Sequence, residues 1–284
     1  MLAFHSLRAV ARRVAICSGL VASFIYCSTG LQAADKPSGT IEERAAKVRI
    51  DLKSHDVDVR RAAIQSLTHN EISKTLLPEI QAALGDPDAK VREWAATVAG
   101  PEGELAIPLV PLLIAQLEKD PVKTTRETAA RALGRIGRKV PTERRGVPAL
   151  EKASLNDEDS VTRVVALGAL AMLNPDDDAR ITAITPYLIG DDPLTRMKAA
   201  HALGQLGDRA KAAAPAIAKA LTQATDEHQR GYLARAIGQA GDKQFLPVLY
   251  AELEKETNPK SVAIGEMRGA INRLGGKLPP QPKK

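Results

Sequence analysis

Thiols and aromatic rings are scarce in this chain of 284 residues. It has two cysteines, Cys17 and Cys27, and eight aromatics, of which Phe4, Phe24 and Tyr26 fall at the very start. Beyond Cys27 there is no thiol, which excludes a disulfide framework, Cys-ligated zinc and a cysteine nucleophile from the rest of the chain. With so few rings the core must be built of Ala, Leu, Ile and Val, which suits closely stacked helices better than one thick core. Histidine is sparse too. Past the first segment there are His55, His69, His201 and His228, none of them in an HxxxH, HExxH or His-Glu pair that would present a metal site on one helix face. No glycine loop of the phosphate-cradling kind is present, so the sequence implies no cofactor and no metal. The net charge is +6, and the first 34 residues hold three arginines and no acid, leaving +3 without them. That is too mild to imply nucleic acid.

Those first residues form a separate object. Arg8, Arg12 and Arg13 precede the apolar run Val14 to Tyr26, and Ser28 to Ala34 (STGLQAA) offers small residues before Asp35. This is the layout of a secretory signal peptide over 1–34, followed by a linker over 35–39. The uncharged stretch Val14 to Ala34 could also tilt across a bilayer as an uncleaved anchor, the one route to a membrane that the sequence offers. Residues after Arg12-Arg13 lack the pattern of a twin-arginine signal, and neither cysteine follows the small residue of a lipoprotein site. The expected location is therefore periplasmic or extracellular, with an N-terminal membrane anchor as the alternative.

The rest of the chain repeats. Arg60, Arg92, Arg126, Arg163, Arg196 and Arg230 stand 32, 34, 37, 33 and 34 residues apart, and Ala263 or Ile264 holds the place in a seventh unit. An acidic or Asn/Pro turn precedes each, as in Asp86-Pro87-Asp88, Asp120-Pro121 and Asp157-Glu158-Asp159, and such residues stop one helix and cap the next. Small or aliphatic residues follow three, four and seven positions on, as Ala129, Ala130 and Leu133, which is helical spacing. Prolines 78, 108, 148, 215 and 247 suit the opening turn of the helix before. Gly137, Gly207, Gly241 and Gly275 suit left-handed helix ends. Thr40 and Glu43 form a capping box. Pro186 falls one turn too late and predicts a kink in the first helix of the fifth unit. The basic insert 138–145 reads as a solvated connection. The expected fold is all-α, an α-solenoid of about seven helix-turn-helix units over 40–276 with an unfolded tail over 277–284.

Pro-x-Leu, an acidic turn and Val-Arg-x-x-Ala-Ala-x-x-Leu-Gly at about 34 residues resemble the HEAT repeat, above all the short bacterial form also met in phycobilisome lyases. In that family the turn aspartate and the second-helix arginine bond between neighbouring repeats. The resemblance thus implies a structural ladder of Asp58, Asp88 and Asp159 with Arg60, Arg92, Arg126, Arg163, Arg196 and Arg230. HEAT-built hydroxylases hold iron through His-Glu pairs, which this chain lacks. A bilin lyase would work in the cytoplasm, against the export signal, and remains the weakest alternative.

Function then follows from the surface that stacked helices offer to an extended partner. The expectation is a non-enzymatic protein–protein interaction scaffold outside the cytoplasm. The alternative is an accessory module that positions an exported enzyme or electron carrier at the membrane. Counting from the repeat arginine, positions two, five and nine of each second helix face away from the core. They give Trp94, Thr97, Thr128, Arg131, Arg135, Val165, Gly168, Met172, Lys198, His201, Gln205, Tyr232, Arg235 and Gln239. This is a basic strip with the single Trp and an apolar saddle at Val165 and Met172, facing a protein partner on the concave side.

Overall fold

Thr40 opens the first helix with a reciprocal cap. Its hydroxyl accepts from the Glu43 amide at 3.2 Å while the Glu43 carboxylate accepts from the Thr40 amide at 2.8 Å. The computed structural model of the chain describes residues 40–67 and 75–279. The expected signal segment 1–34, the linker 35–39, His69 and residues 280–284 of the tail lie outside the described residues.

Among the described residues, all the regular structure is helical, and the α-helices associate in seven successive pairs. These are α1 (Ile41–Asp51) with α2 (Val57–Gln65), α3 (Leu77–Ala83) with α4 (Ala89–Ala99), and α5 (Val110–Lys119) with α6 (Lys123–Lys139). Then come α7 (Val147–Asn156) with α8 (Ser160–Leu173), α9 (Asp178–Ile184) with α10 (Pro193–Gln205), α11 (Ala214–Gln223) with α12 (Glu227–Ala240), and α13 (Leu246–Glu254) with α14 (Val262–Arg273). This is the α-solenoid that the periodicity predicts. Each second helix also packs on the next, from α2 through α14, more closely than successive first helices do. The row of second helices is therefore the tighter, inner side of the stack.

The acids of the turns start the second helices. Asp88, Asp159, Asp192 and Asp226 each accept an amide proton from the first turn of the helix that follows. The core positions then interlock: Ala129, Ala130, Leu133 and Ile136 of α6 are buried, as are Ala199, Ala200 and Leu203 of α10. Small residues let the helices close up. A Cβ on Gly238 would stand 2.7 Å from the Ala270 Cα, so α12 approaches α14 only because that carbon is missing.

Several local expectations are confirmed and others corrected. Pro186 does end the α-helical turn of α9, which continues as a 3-10 segment, Thr185–Ile189. Gly207 and Gly275 are left-handed, at φ 57° and 74°. Gly137 instead lies inside α6, where Leu173 crosses so close that a Cβ would meet it at 2.5 Å. Gly241 is extended (φ −90°, ψ −171°), not left-handed. Pro108 does not open α5; it sits in the preceding 3-10 segment, Gly100–Leu109, and Pro111 takes the opening turn.

The ladder is present but uses other aspartates. Arg60 donates from Nε and Nη2 to both oxygens of Asp86 at 2.8 and 3.0 Å, Arg92 to Asp120 at 2.7 and 2.9 Å, and Arg126 to Asp157 at 2.9 and 3.0 Å. Each acceptor stands at the end of a first helix, two residues before the capping position. The capping carboxylates of Asp88 and Asp159 are already turned onto amides of their own helices. Asp88 additionally takes Arg61 of the previous pair, a bond that holds its carboxyl down at about 2, and Asp58 takes only Arg61 of its own helix. The hydrogen bonds to Asp120 and Asp157 push the Arg92 and Arg126 guanidinium pKa values up.

Candidate functional site

Residues three and seven positions apart share a helix face, so each second helix contributes a short column to the surface opposite the core. From α4 come Trp94 and Thr97, from α6 Thr128, Arg131 and Arg135, and from α8 Val165, Gly168 and Met172. Lys198, His201 and Gln205 follow from α10, and Tyr232, Arg235 and Gln239 from α12. Most are half-buried; Thr128 and Gly168 are buried, while Gln205 and Gln239 are exposed. Trp94, Val165, Met172 and Tyr232 also rest partly on the core.

A buried acid organises the middle of this face. Glu127 of α6 is 7% exposed and accepts from Arg131 of its own helix and from Lys198 Nζ at 2.6 Å. Lys198 belongs to α10, two second helices away. The bond therefore spans α8, which packs between α6 and α10. Side chains of α6 and α10 converge over α8 only if this face is concave there. Burial pushes the Lys198 ammonium pKa down, and Glu127 opposes the shift.

Toward α14 the next cation is satisfied as well. Arg235 bonds Glu266 of α14 through Nε at 2.8 Å, and its guanidinium carbon lies 6.0 Å from the centre of the Tyr232 ring. The His201 ring meets Tyr232 edge-on at 6.4 Å. Burial first, then the charges of Arg131, Lys198, Arg235 and Arg135, push the imidazole down to about 4. His201 is neutral at pH 7 and a weak base, ill suited to proton abstraction there.

Arg135 differs. Among the described residues no carboxylate bonds its guanidinium, and burial, Arg131 and Arg138 push its pKa down. It lines a cleft of about 280 Å³ with Pro101, Arg138, Lys139, Met172 and Gln205. The basic insert beside it is not simply solvated. Arg138 and Lys139 belong to the last turn of α6, Lys139 donates to the Pro101 carbonyl, Arg144 to the Leu173 carbonyl at 2.8 Å, and Arg145 to Glu143 and the Ile107 carbonyl.

The charge of the predicted strip is mostly balanced from within the chain. Sequence reasoning missed Glu127 and Glu266. Glu266 was within reach of the rule, since it occupies position two of the last unit when Ile264 takes the arginine's place, whereas Glu127 sits at position one, which the rule does not sample.

A sequence profile of HEAT repeats matches residues 110–188 and 147–227. Together the two matches span residues 110–227, less than half of the chain. Among proteins of curated function, none matches the chain. Among solved structures it is similar to the complex of CpcE and CpcF of phycocyanin lyase from Nostoc sp. PCC7120, at 21% identity over 88% of this chain and 100% of that one, with a TM-score of 0.45. An engineered protein is similar at 21% identity over 82% and 98%, TM-score 0.42. The Escherichia coli protein YibA is similar at 16% identity over 87% and 99%, TM-score 0.41. The matched HEAT segment runs from α5 into α12 and so includes Glu127, Lys198, Arg135 and the cleft.

Proposed function

We propose that this protein is a non-enzymatic interaction scaffold that works outside the cytoplasm and holds an extended segment of a protein partner along its row of second helices. One observation supports this most. On a face where Arg131, Lys198 and Arg235 are each answered by a carboxylate of the same chain, Arg135 is half-buried beside a cleft with no acid of its own. An acidic side chain of a partner would complete that pairing, with Met172 of the cleft supplying apolar contact. Guanidinium groups and Trp in partly desolvated settings are the types that dominate interface energy. Location outside the cytoplasm rests on the signal-like layout of residues 1–34.

The test is capture from the exported fraction by the parent, by Arg135→Ala and by Trp94→Ala. Arg131 and Arg235 are poor choices for this purpose because each holds a glutamate within the fold. Loss of a discrete partner with Arg135→Ala, at an unchanged melting temperature, supports the reading. Equal capture by parent and variant removes it.

A further inference from the structure

The ladder has two unfilled rungs. In each repeat the arginine's Nη1 also bonds a carbonyl of its own turn, six residues back: Asp86 for Arg92, Asp120 for Arg126, Asp157 for Arg163, Gly190 for Arg196 and Ala224 for Arg230. This fixes Gly190 and Ala224 as the structural equivalents of the ladder aspartates. Neither has a carboxylate. Arg163, which should meet position 190, finds toward the next repeat only the Tyr187 hydroxyl among the described residues, 3.4 Å from its Nε. Arg196, which should meet position 224, uses Nη1 on the Gly190 and Asp191 carbonyls of its own turn; toward the next repeat it keeps only a neutral acceptor, Gln229 Oε1, at 3.2 Å from Nη2, and its Nε has no acceptor among the described residues.

At Arg196 the gap is also a space. A cleft of about 220 Å³ is lined by Arg196, Gln229, Leu188, Ile189 and Ala220 among others. Ile189 is 61% exposed, an apolar wall beside a guanidinium. The backbone of Ala224 (φ −74°, ψ 129°) matches that of Asp120 (φ −65°, ψ 128°) and Asp157 (φ −61°, ψ 136°). The turn that presents a carboxylate elsewhere in the chain is therefore built here without one. The intact rungs show what the guanidinium edge donates to: a planar pair of carboxylate oxygens at 2.7 to 3.0 Å.

We propose that the cleft at Arg196 binds a carboxylate from outside the chain, which takes the place of the missing aspartate while its hydrocarbon stem lies on Leu188, Ile189 and Ala220. The site lies where α9 and its 3-10 extension meet α11 and the turn before α12, and it is independent of the Arg135 face. A free carboxylic acid with a short apolar stem and the side chain of a glutamate both carry this chemistry.

The experiment titrates the purified protein with butyrate and, separately, with a short peptide holding one glutamate, each against chloride at equal ionic strength. The amide signals of Thr225 and Gln229 report binding. Saturable shifts with either probe are expected, and the tighter probe identifies the source as a free acid or a protein side chain. Ala224→Asp supplies the missing rung from within, so it should weaken binding at least about tenfold and raise the melting temperature of the free protein. Arg196→Gln, which adds no charge to the cleft, should abolish the shifts and stands in if Ala224→Asp does not fold. No saturable shift in the parent with either probe, or undiminished binding by Arg196→Gln, overturns the proposal.

Discussion

Replacing Glu127 by Gln tests the convergence of α6 and α10 directly. The carboxylate is 7% exposed and answers two cations, Arg131 beside it and Lys198 across α8 at 2.6 Å. Glutamine keeps the shape and removes the charge, leaving Lys198 pressed toward its neutral form by burial and facing the positive Arg131 alone. Breaking a fully buried pair costs about 3 to 5 kcal/mol. The Lys198 side chain is 26% exposed, so water recovers part of that, and about 2 kcal/mol is the expected loss. For a chain of this size that is a fall of roughly 4 to 8 °C in melting temperature. The assay is a double-mutant cycle in urea with Lys198→Met, read by circular dichroism and by the fluorescence of Trp94. The double variant should recover at least about 1 kcal/mol of the single loss, because two apolar or neutral groups no longer strand a charge. A coupling below about 0.3 kcal/mol would mean that the two side chains do not meet, and that the face is flatter than described.

Three further outcomes are expected. His201 is held near a pKa of about 4, below its ordinary value of about 6.5. The unfolded chain therefore takes up a proton between those values that the fold does not. This contribution to stability is complete above pH 6.5 and is lost as pH falls toward 4, by at most about 3 kcal/mol; His201→Gln should flatten that part of the stability profile. Arg92→Ala strands Asp120, whose side chain is 5% exposed, and should cost about 3 kcal/mol, against about 1 for Arg163→Ala, which strands no carboxylate. Gly238→Ala should destabilise by about 1 to 3 kcal/mol through contact with Ala270, while Gly265→Ala, with nothing within 4 Å of its Cβ, should stabilise α14 by about 0.5 to 1 kcal/mol. Thermal melts of the four variants check both pairs.

The helix pairs were legible because three signals agree in most repeats: an arginine every 32 to 37 residues, an acidic turn before the second helix, and small or aliphatic residues three, four and seven positions on. Those are local rules, and Asp88, Ala129 and Leu133 obey them. Which acid meets which arginine was not legible. Asp86 and Asp88 are two residues apart and chemically alike, and only the turn decides that one faces back to Arg60 while the other caps forward onto Val91. The contact of Glu127 with Lys198 depends on the curvature of three repeats together, which no single repeat encodes. Gly137 carries the same lesson, since its reason lies in Leu173 on another helix and not in its own helix end.

The proposed protein partner lies on the row of second helices around Arg135. Site-specific photocrosslinking in the cell that makes the protein tests it, with a benzophenone side chain at Met172 or Gln205, which line the cleft beside Arg135 and leave its guanidinium in place, and a control at Leu155, which is 72% exposed near the end of a first helix. One discrete protein adduct is expected from positions 172 and 205 and none from 155. An adduct from 155 with none from the other two would place the partner elsewhere and contradict it.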